Sequence, residues 1–162
     1  MHQKQKNDAV EPQGGDIRRD ASRTCKLTQL THPKIVAAIP CFNAEHFIAD
    51  VVSKAKKYVD GVIVIDDGSH DGTAEVARAA GALVVNHGTN RGYGEAIKSC
   101  FETAKANAAD VLVILDGDGQ HKPDEIPLLL APILKGEADL IIGSSVGSSL
   151  MSIMPISCLY VP

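Results

Sequence analysis

Two aspartates one residue apart, Asp116 and Asp118, end an apolar run in the segment VLVILDGDGQHKPD. Carboxylates this close together repel each other unless a cation lies beside them, and a site built from oxygen ligands favours Mg²⁺ or Mn²⁺ over zinc. Gln120 offers one more neutral oxygen, and Gly117 leaves room for a diphosphate to approach the backbone. The alternative for an isolated Asp-x-Asp is a solvated turn, because Asp and Gly are common turn residues.

Two earlier apolar runs also end in residues that suit a binding site, namely Pro40, Phe42, Asn43, Asp66 and Asp67. In open parallel α/β sheets, ligands bind beyond the carboxyl ends of the strands, so these residues are expected to lie near the Asp-x-Asp segment. A carboxylate at such a strand end accepts hydrogen bonds from a base N–H or a ribose hydroxyl. The alternative for Asp66 and Asp67 is a helix-capping turn, since Ser69 and Asp71 are good caps.

Five short runs of apolar and β-branched residues predict strands that are buried on both faces, at residues 34–39, 61–65, 82–85, 110–115 and 139–142. The segments 47–55 and 96–104 each place their apolar residues on one helical face. Pro123, followed by two acidic residues, suits the first turn of a further helix that runs to residue 134. Strands alternating with helices in this way predict an α/β fold with a parallel sheet.

The length, net charge and cysteine content of the chain favour one domain and disfavour several classes of partner. A chain of 162 residues suits a single core, and a net charge of -4 with dispersed Lys and Arg predicts no nucleic-acid partner. The four cysteines lack zinc spacing and close pairing, which predicts reduced thiols in the cytoplasm. Residues 1–33 are polar and predict a flexible tail. The chain has neither a secretory signal nor the roughly 20 apolar residues that cross a bilayer.

Five motifs occur in order along residues 34–144: IPCFNAEHFI, VIVIDDGSHDGT, NRGYGEAI, VLVILDGDGQHKPDEI and DLIIGS. Together they resemble the family 2 glycosyltransferases, and within them the polyprenyl-phosphate branch that includes dolichyl-phosphate mannose synthases. The resemblance implies a Rossmann-like, three-layer nucleotide-diphospho-sugar transferase fold with a mostly parallel sheet. It also implies metal-dependent transfer of a hexose from a donor of the GDP-mannose or UDP-glucose type to a polyprenyl phosphate.

The resemblance assigns nucleotide-sugar binding to Pro40, Phe42, Asn43, Glu45, Asp66, Asp67, Arg91, Gly92, Asp116 and Gly117. It implies a catalytic role for Asp116 and Asp118, and metal ligation by these two residues and Gln120. Phe42 is expected to stack on the base, and Tyr93 stands where many family members carry lysine. A phosphate acceptor is already largely ionised at neutral pH, with a second pKa of about 6, so it needs no general base.

The sequence departs from the family pattern after Ser144, where the expected arginine is missing and residues 145–162 form an atypical apolar tail. This predicts a sheet that is incomplete at the C-terminus, with homodimerisation covering its apolar surface. The expected location is the cytoplasm, peripheral on the cytoplasmic face of a membrane. One alternative is a truncated, non-catalytic remnant that only binds nucleotide sugar. Another is a nucleotidyltransferase, which PCFNAEHF disfavours because it lacks a glycine- and lysine-rich phosphate loop.

Overall fold

The computed structural model describes residues 31–119, 122–144 and 150–156. The strands in these ranges are β1 (Ile35–Cys41), β2 (Gly61–Asp66), β3 (Leu83–Asn86), β4 (Val111–Ile114), β5 (Ile141–Ser144) and β6 (Leu150–Pro155). The α-helices are α1 (Glu45–Ala55), α2 (Thr73–Ala79), α3 (Tyr93–Ala106) and α4 (Ile126–Leu134), and a 3-10 helix at Pro123–Glu125 precedes α4. Among them, no helix combines the length and the apolar character needed to cross a membrane.

The strands form one mixed sheet in the order β3-β2-β1-β4-β6-β5. β1 pairs in parallel with β2 and β4, and β2 pairs in parallel with β3. β6 is antiparallel to both of its neighbours, β4 and β5, so β5 runs in the same direction as the first four strands. The prediction of a three-layer α/β fold with a mostly parallel sheet is therefore confirmed.

Helices cover both faces of the sheet, which explains why the strands are apolar along their whole length. Alternate strand residues point to opposite faces. Ala37 and Ile39 of β1 pack in the cluster that contains buried residues of α1, α2 and α4. Val36 and Ala38 pack in a second cluster, together with Ala96 and other residues of α3. The carboxyl ends of β1, β2 and β4 consequently open at the edge where α1, α2 and α3 begin.

The last two strands differ from the prediction. The apolar run at residues 139–142 predicts a final strand there, whereas β5 spans Ile141–Ser144, and β6 lies inside the segment predicted as an apolar tail. β6 also separates β5 from β4, so the sheet continues beyond the boundary predicted at residue 144. The alternation of strands and helices gave no sign of this, because an antiparallel insertion needs no helical crossover. Residues 1–30 of the predicted tail, and residues 145–149 and 157–162, lie outside the described residues.

Burial of β6 gives a direct test of its place in the sheet. Ile153 is fully buried in β6, whereas Ile142 on the edge strand β5 is 56% exposed. Ile153→Val is expected to lower the free energy of unfolding by about 0.5–1.5 kcal/mol. Ile142→Val, the matched control, is expected to change it by less than about 0.5 kcal/mol. Chemical denaturation of the two variants measures this difference, and equal effects would contradict the burial of β6.

Candidate functional site

Two adjoining clefts lie at the carboxyl ends of β1, β2 and β4. The first has a volume of about 190 Å³, and its lining includes Asp67, Asn90, Gly92 and Tyr93. The second has a volume of about 220 Å³, and its lining includes Asn43, Phe47, Asp116, Gly117 and Asp118. Both clefts share a wall formed by Pro40, Cys41 and Phe42. The aspartate that follows β2, Asp67, therefore lies in the first cleft. The aspartates that follow β4, Asp116 and Asp118, lie in the second cleft on the other side of this wall.

Asp67 fixes the loop between β3 and α3. One carboxylate oxygen, Oδ1, accepts a hydrogen bond from the Arg91 N–H at 3.0 Å, and Oδ2 accepts one from the Gly92 N–H at 2.8 Å. Oδ1 also lies 2.7 Å from Nδ1 of His87. Burial alone would raise the pKa of Asp67, but these hydrogen bonds outweigh it and hold the pKa below its usual value. Asp67 is therefore charged at neutral pH, and its charge is used to organise this loop.

Asp66 supports the same region from inside the core, where the residue is only 1% exposed. Its carboxylate accepts hydrogen bonds from the Ser69 N–H at 3.0 Å and from the amide of Asn86 at 2.6 Å. Its backbone carbonyl accepts the His87 N–H. Asp66 lines neither cleft, and its contact with the nucleotide stays a prediction.

His87 is a buried part of the site that sequence analysis missed. Its Nδ1 faces Asp67, and its Nε2 lies 2.9 Å from the hydroxyl of Ser99 on α3. The side chain is 4% exposed. His87 directly follows β3, so reading the end of the third strand, as was done for the other three, would have found it. Through this histidine, α3 and the end of β2 hold the same loop.

Gly68 lets the loop pack directly on the end of β2. Its φ is +77°, which is a left-handed conformation that favours glycine. A Cβ added there would lie 2.4 Å from the Thr89 carbonyl carbon and 2.6 Å from the Asn90 nitrogen. Only glycine fits this position without moving the loop that lines the first cleft.

Asn43 and Glu45 join the loops that follow β1 and β2. The Asn43 N–H donates to the Ser69 hydroxyl at 2.9 Å, and its side-chain oxygen accepts the His70 N–H at 2.9 Å. The Glu45 carboxylate accepts the Gly72 N–H at 3.1 Å. Asn43 has a φ of +53°, a left-handed conformation that asparagine tolerates better than most residues. These contacts support Phe42, which precedes them and is 44% exposed at the shared wall.

The helix-capping alternative for this region holds in part, for Asp71 at the start of α2. Gly72 is the N-cap residue of α2 and has no side chain that could make a cap hydrogen bond. The preceding residue, Asp71, accepts the Thr73 N–H at 3.1 Å and so satisfies a backbone donor at the start of α2. Ser69 instead accepts a hydrogen bond from Asn43, and Asp71 accepts one from the Glu45 N–H at 3.2 Å. Both residues connect loops across the site.

Asp116 and Asp118 share the second cleft with Gly117. Asp116 accepts a hydrogen bond from the Tyr93 hydroxyl at 3.2 Å. Partial burial of this phenol, the negative charge of Asp116 and the hydrogen bond together raise the pKa of Tyr93 to about 12. Asp118 is exposed. A Cβ on Gly117 would lie 2.8 Å from the Cβ of Cys41, so glycine keeps this strand end close to β1.

The donor set in this cleft fits a hard cation only in part. Within the described residues, no group of three or more His, Cys, Asp or Glu side chains is close enough to hold a metal ion. Two carboxylates on one cleft suit Mg²⁺ or Mn²⁺ when water and phosphate oxygens complete the shell. The third predicted ligand, Gln120, lies outside the described residues, as does His121.

Within the described ranges, the predicted site residues divide into two groups. Those that line a cleft are Pro40, Phe42, Asn43, Asp67, Gly92, Asp116, Gly117 and Asp118. Those that line neither are Glu45, Asp66 and Arg91. The Arg91 guanidinium donates a hydrogen bond to the His87 carbonyl oxygen at 3.4 Å, which is a contact within the loop. The loop after β3 contributes to the site through its backbone more than through its predicted arginine.

Comparison with known proteins gives consistent similarities. The family model described as Glycosyl transferase family 2 matches residues 36–152. An undecaprenyl-phosphate 4-deoxy-4-formamido-L-arabinose transferase of Aeromonas hydrophila is 39% identical over 119 residues, which cover 65% of this chain and 36% of that protein. An undecaprenyl-phosphate mannosyltransferase of Micrococcus luteus is 34% identical, with 68% of this chain and 48% of that protein covered.

Solved structures agree on the fold. Glucosyl-3-phosphoglycerate synthase from Mycobacterium tuberculosis, in complex with Mn²⁺, uridine diphosphate and phosphoglyceric acid, matches with a TM-score of 0.67 and 25% identity. The match covers 78% of this chain and 57% of that chain. The present chain thus spans about half the length, or less, of the relatives and structures compared.

Proposed function

This chain belongs to glycosyl transferase family 2, and we propose that it transfers a hexose from a nucleotide-diphosphate sugar to a polyprenyl phosphate in a reaction that depends on Mg²⁺ or Mn²⁺. The observation that carries the proposal is the meeting of Asp67, Asp116 and Asp118 in two clefts that share the wall at Phe42. Clefts at the carboxyl edge of such a sheet are where ligands bind in this class of fold.

The first cleft suits the nucleoside part of the donor. Phe42 presents an exposed ring at the shared wall, and a base stacked on it would lie beside Asp67. Asp67 already accepts three hydrogen bonds within the protein, while a carboxylate has about four lone-pair sites. In this proposal Asp67 acts first by holding the loop in place, and it has about one acceptor site left for a base or ribose donor.

The second cleft suits the diphosphate and the reacting sugar. Gly117 brings the backbone close without a side chain, and Asp116 and Asp118 provide the carboxylates that would hold the cation. Such a cation offsets the negative charge that builds on the departing nucleoside diphosphate. The residues of the cleft have to bring the acceptor oxygen to the sugar, and an ionised phosphate acceptor needs no deprotonation by the protein.

The names of the relatives support a lipid phosphate acceptor. Two of them are named as transferases acting with undecaprenyl phosphate, and a third, from Methanococcus voltae, as an N-acetylglucosaminyltransferase acting with dolichyl phosphate. A polyprenyl phosphate lies in a membrane, so its use requires this chain to approach the membrane surface peripherally. Self-association through the edge strand β5 stays a prediction.

A turnover experiment tests the proposal against its alternatives. The chain would be incubated with UDP-glucose, GDP-mannose or UDP-N-acetylglucosamine, with Mn²⁺ and undecaprenyl or dolichyl phosphate. We expect one donor to yield a lipid-linked sugar together with free nucleoside diphosphate. Nucleotide binding without turnover would favour the non-catalytic remnant. A parallel reaction with phosphoglyceric acid, the molecule bound in the solved neighbour, tests a small soluble acceptor instead.

A further inference from the structure

One hydrogen bond connects the two clefts. Tyr93 is the first residue of α3 and lines the first cleft, and Asp116 follows β4 and lines the second. The Tyr93 hydroxyl donates to Oδ1 of Asp116 across 3.2 Å. This bond therefore joins the start of a helix on one side of the site to a carboxylate on the other.

The backbone of Tyr93 is held in place by its neighbours. The preceding residue, Gly92, donates its N–H to Asp67 at 2.8 Å, and the Arg91 N–H donates to the same carboxylate. One turn later, Ala96 is 2% exposed in the core against the sheet. The backbone of Tyr93 is therefore held near the end of β2. The residue is 62% exposed, and its ring reaches over the clefts.

We infer that Tyr93 is a positioning residue, which holds the Asp116 carboxylate in the orientation that a divalent cation requires in the second cleft. The inference rests on the proposed function and adds a residue to it. A carboxylate at a strand end rotates about its last side-chain bond, and a hydrogen bond to one oxygen restricts that rotation. Because the phenol is neutral, it orients Asp116 without offsetting the negative charge that attracts the cation.

The chain contains a matched control for this bond. The Tyr58 hydroxyl donates to Oδ1 of Asp124 at 2.7 Å, and neither residue lines either of these two clefts. Tyr58→Phe therefore removes the same kind of tyrosine-carboxylate hydrogen bond from a different place in the fold. Tyr93→Phe removes only a hydroxyl from an exposed residue, so both variants are expected to fold.

The test is a titration of Mn²⁺ into the full chain, with binding followed by electron paramagnetic resonance of the free ion. It is done with Mn²⁺ alone and again with UDP or GDP. Loss of a group that orients a metal ligand typically lowers metal affinity by about 10- to 100-fold, so we expect Tyr93→Phe to weaken Mn²⁺ binding by about tenfold. Tyr58→Phe is expected to bind Mn²⁺ as the unaltered chain does. The thermal unfolding midpoint should stay unchanged in both variants, and any loss of metal-free nucleotide affinity in Tyr93→Phe, whose ring lines the first cleft, should be smaller than its loss of Mn²⁺ affinity.

The results that would overturn the inference differ from those that would overturn the proposed function. If Tyr93→Phe binds Mn²⁺ as tightly as the unaltered chain, or if Tyr58→Phe loses as much affinity, the inference is overturned while the proposed function stands. A matching loss of metal-free nucleotide affinity in Tyr93→Phe also overturns it, because the tyrosine would then act on the nucleotide directly. If the unaltered chain binds no Mn²⁺ with either nucleotide, the proposed function fails together with the inference.

Discussion

Asp118→Ala is expected to abolish Mn²⁺-dependent nucleotide binding and to lower turnover by about two to three orders of magnitude, as happens when one group that stabilises developing charge is removed. The reason is its place in the second cleft beside Asp116, where the two carboxylates would hold the cation between them. Isothermal titration of UDP and GDP, with and without Mn²⁺, measures the binding part of this prediction. The turnover assay described above measures the rest.

A control variant separates this effect from a general change of charge. Glu102 is an exposed residue of α3 that lines neither cleft, and Glu102→Ala removes one negative charge as Asp118→Ala does. It is expected to leave metal-dependent binding unchanged. Retention of metal-dependent nucleotide binding by the Asp118 variant would remove the metal site from the proposal.

Gly68→Ala is expected to give the largest loss of stability among the substitutions considered. The left-handed backbone costs an alanine about 1–2 kcal/mol, and forcing a methyl group into a packed position costs about 1–3 kcal/mol more. The methyl group would lie 2.4 Å from the Thr89 carbonyl carbon, so the loop after β3 must move away from β2. Nucleotide affinity should fall as well, because that loop carries Asn90 and Gly92 into the first cleft.

Gly88→Ala provides the control for backbone strain. Gly88 also has a positive φ, +72°, but a Cβ at this position meets no atom within 4 Å. Gly88→Ala is therefore expected to lower the free energy of unfolding only by the cost of the left-handed backbone, about 1–2 kcal/mol. Urea denaturation of both variants compares the two costs. The same loss of stability in both would show that the loop does not press against Gly68.

Much of the fold follows from the sequence because strand burial and parallel topology constrain each other. The apolar runs that became β1, β2 and β4 could be buried on both faces only if helices covered the sheet from both sides. Their carboxyl ends then had to lie at one edge, which is why residues as distant in sequence as Phe42 and Asp116 meet in one cleft. The strand-end rule needs no knowledge of loop conformation. Among the residues that line the clefts, it predicted Pro40, Phe42, Asn43, Asp67, Asp116, Gly117 and Asp118.

The hydrogen-bond partners of the site residues did not follow from the strand ends in the sequence. Whether a carboxylate such as Glu45 or Asp66 faces a ligand or a backbone N–H depends on the path of the neighbouring loop. That path depends here on positive φ angles at Asn43 and Gly68, which hydrophobic periodicity does not report. The role of His87 is hidden for the same reason, since its partners Asp67 and Ser99 are distant in sequence.

The position of β6 between β4 and β5 has a consequence for folding during synthesis. The ribosome releases β5 while the strand that must separate it from β4 is still inside the exit tunnel. Until residue 155 emerges, β4 lacks its partner on one side and β5 lacks its partner strand, so the exposed edges are able to pair with another chain. The pairing of β4 with β6 is therefore a late step, which requires the chain up to residue 155 to have left the ribosome.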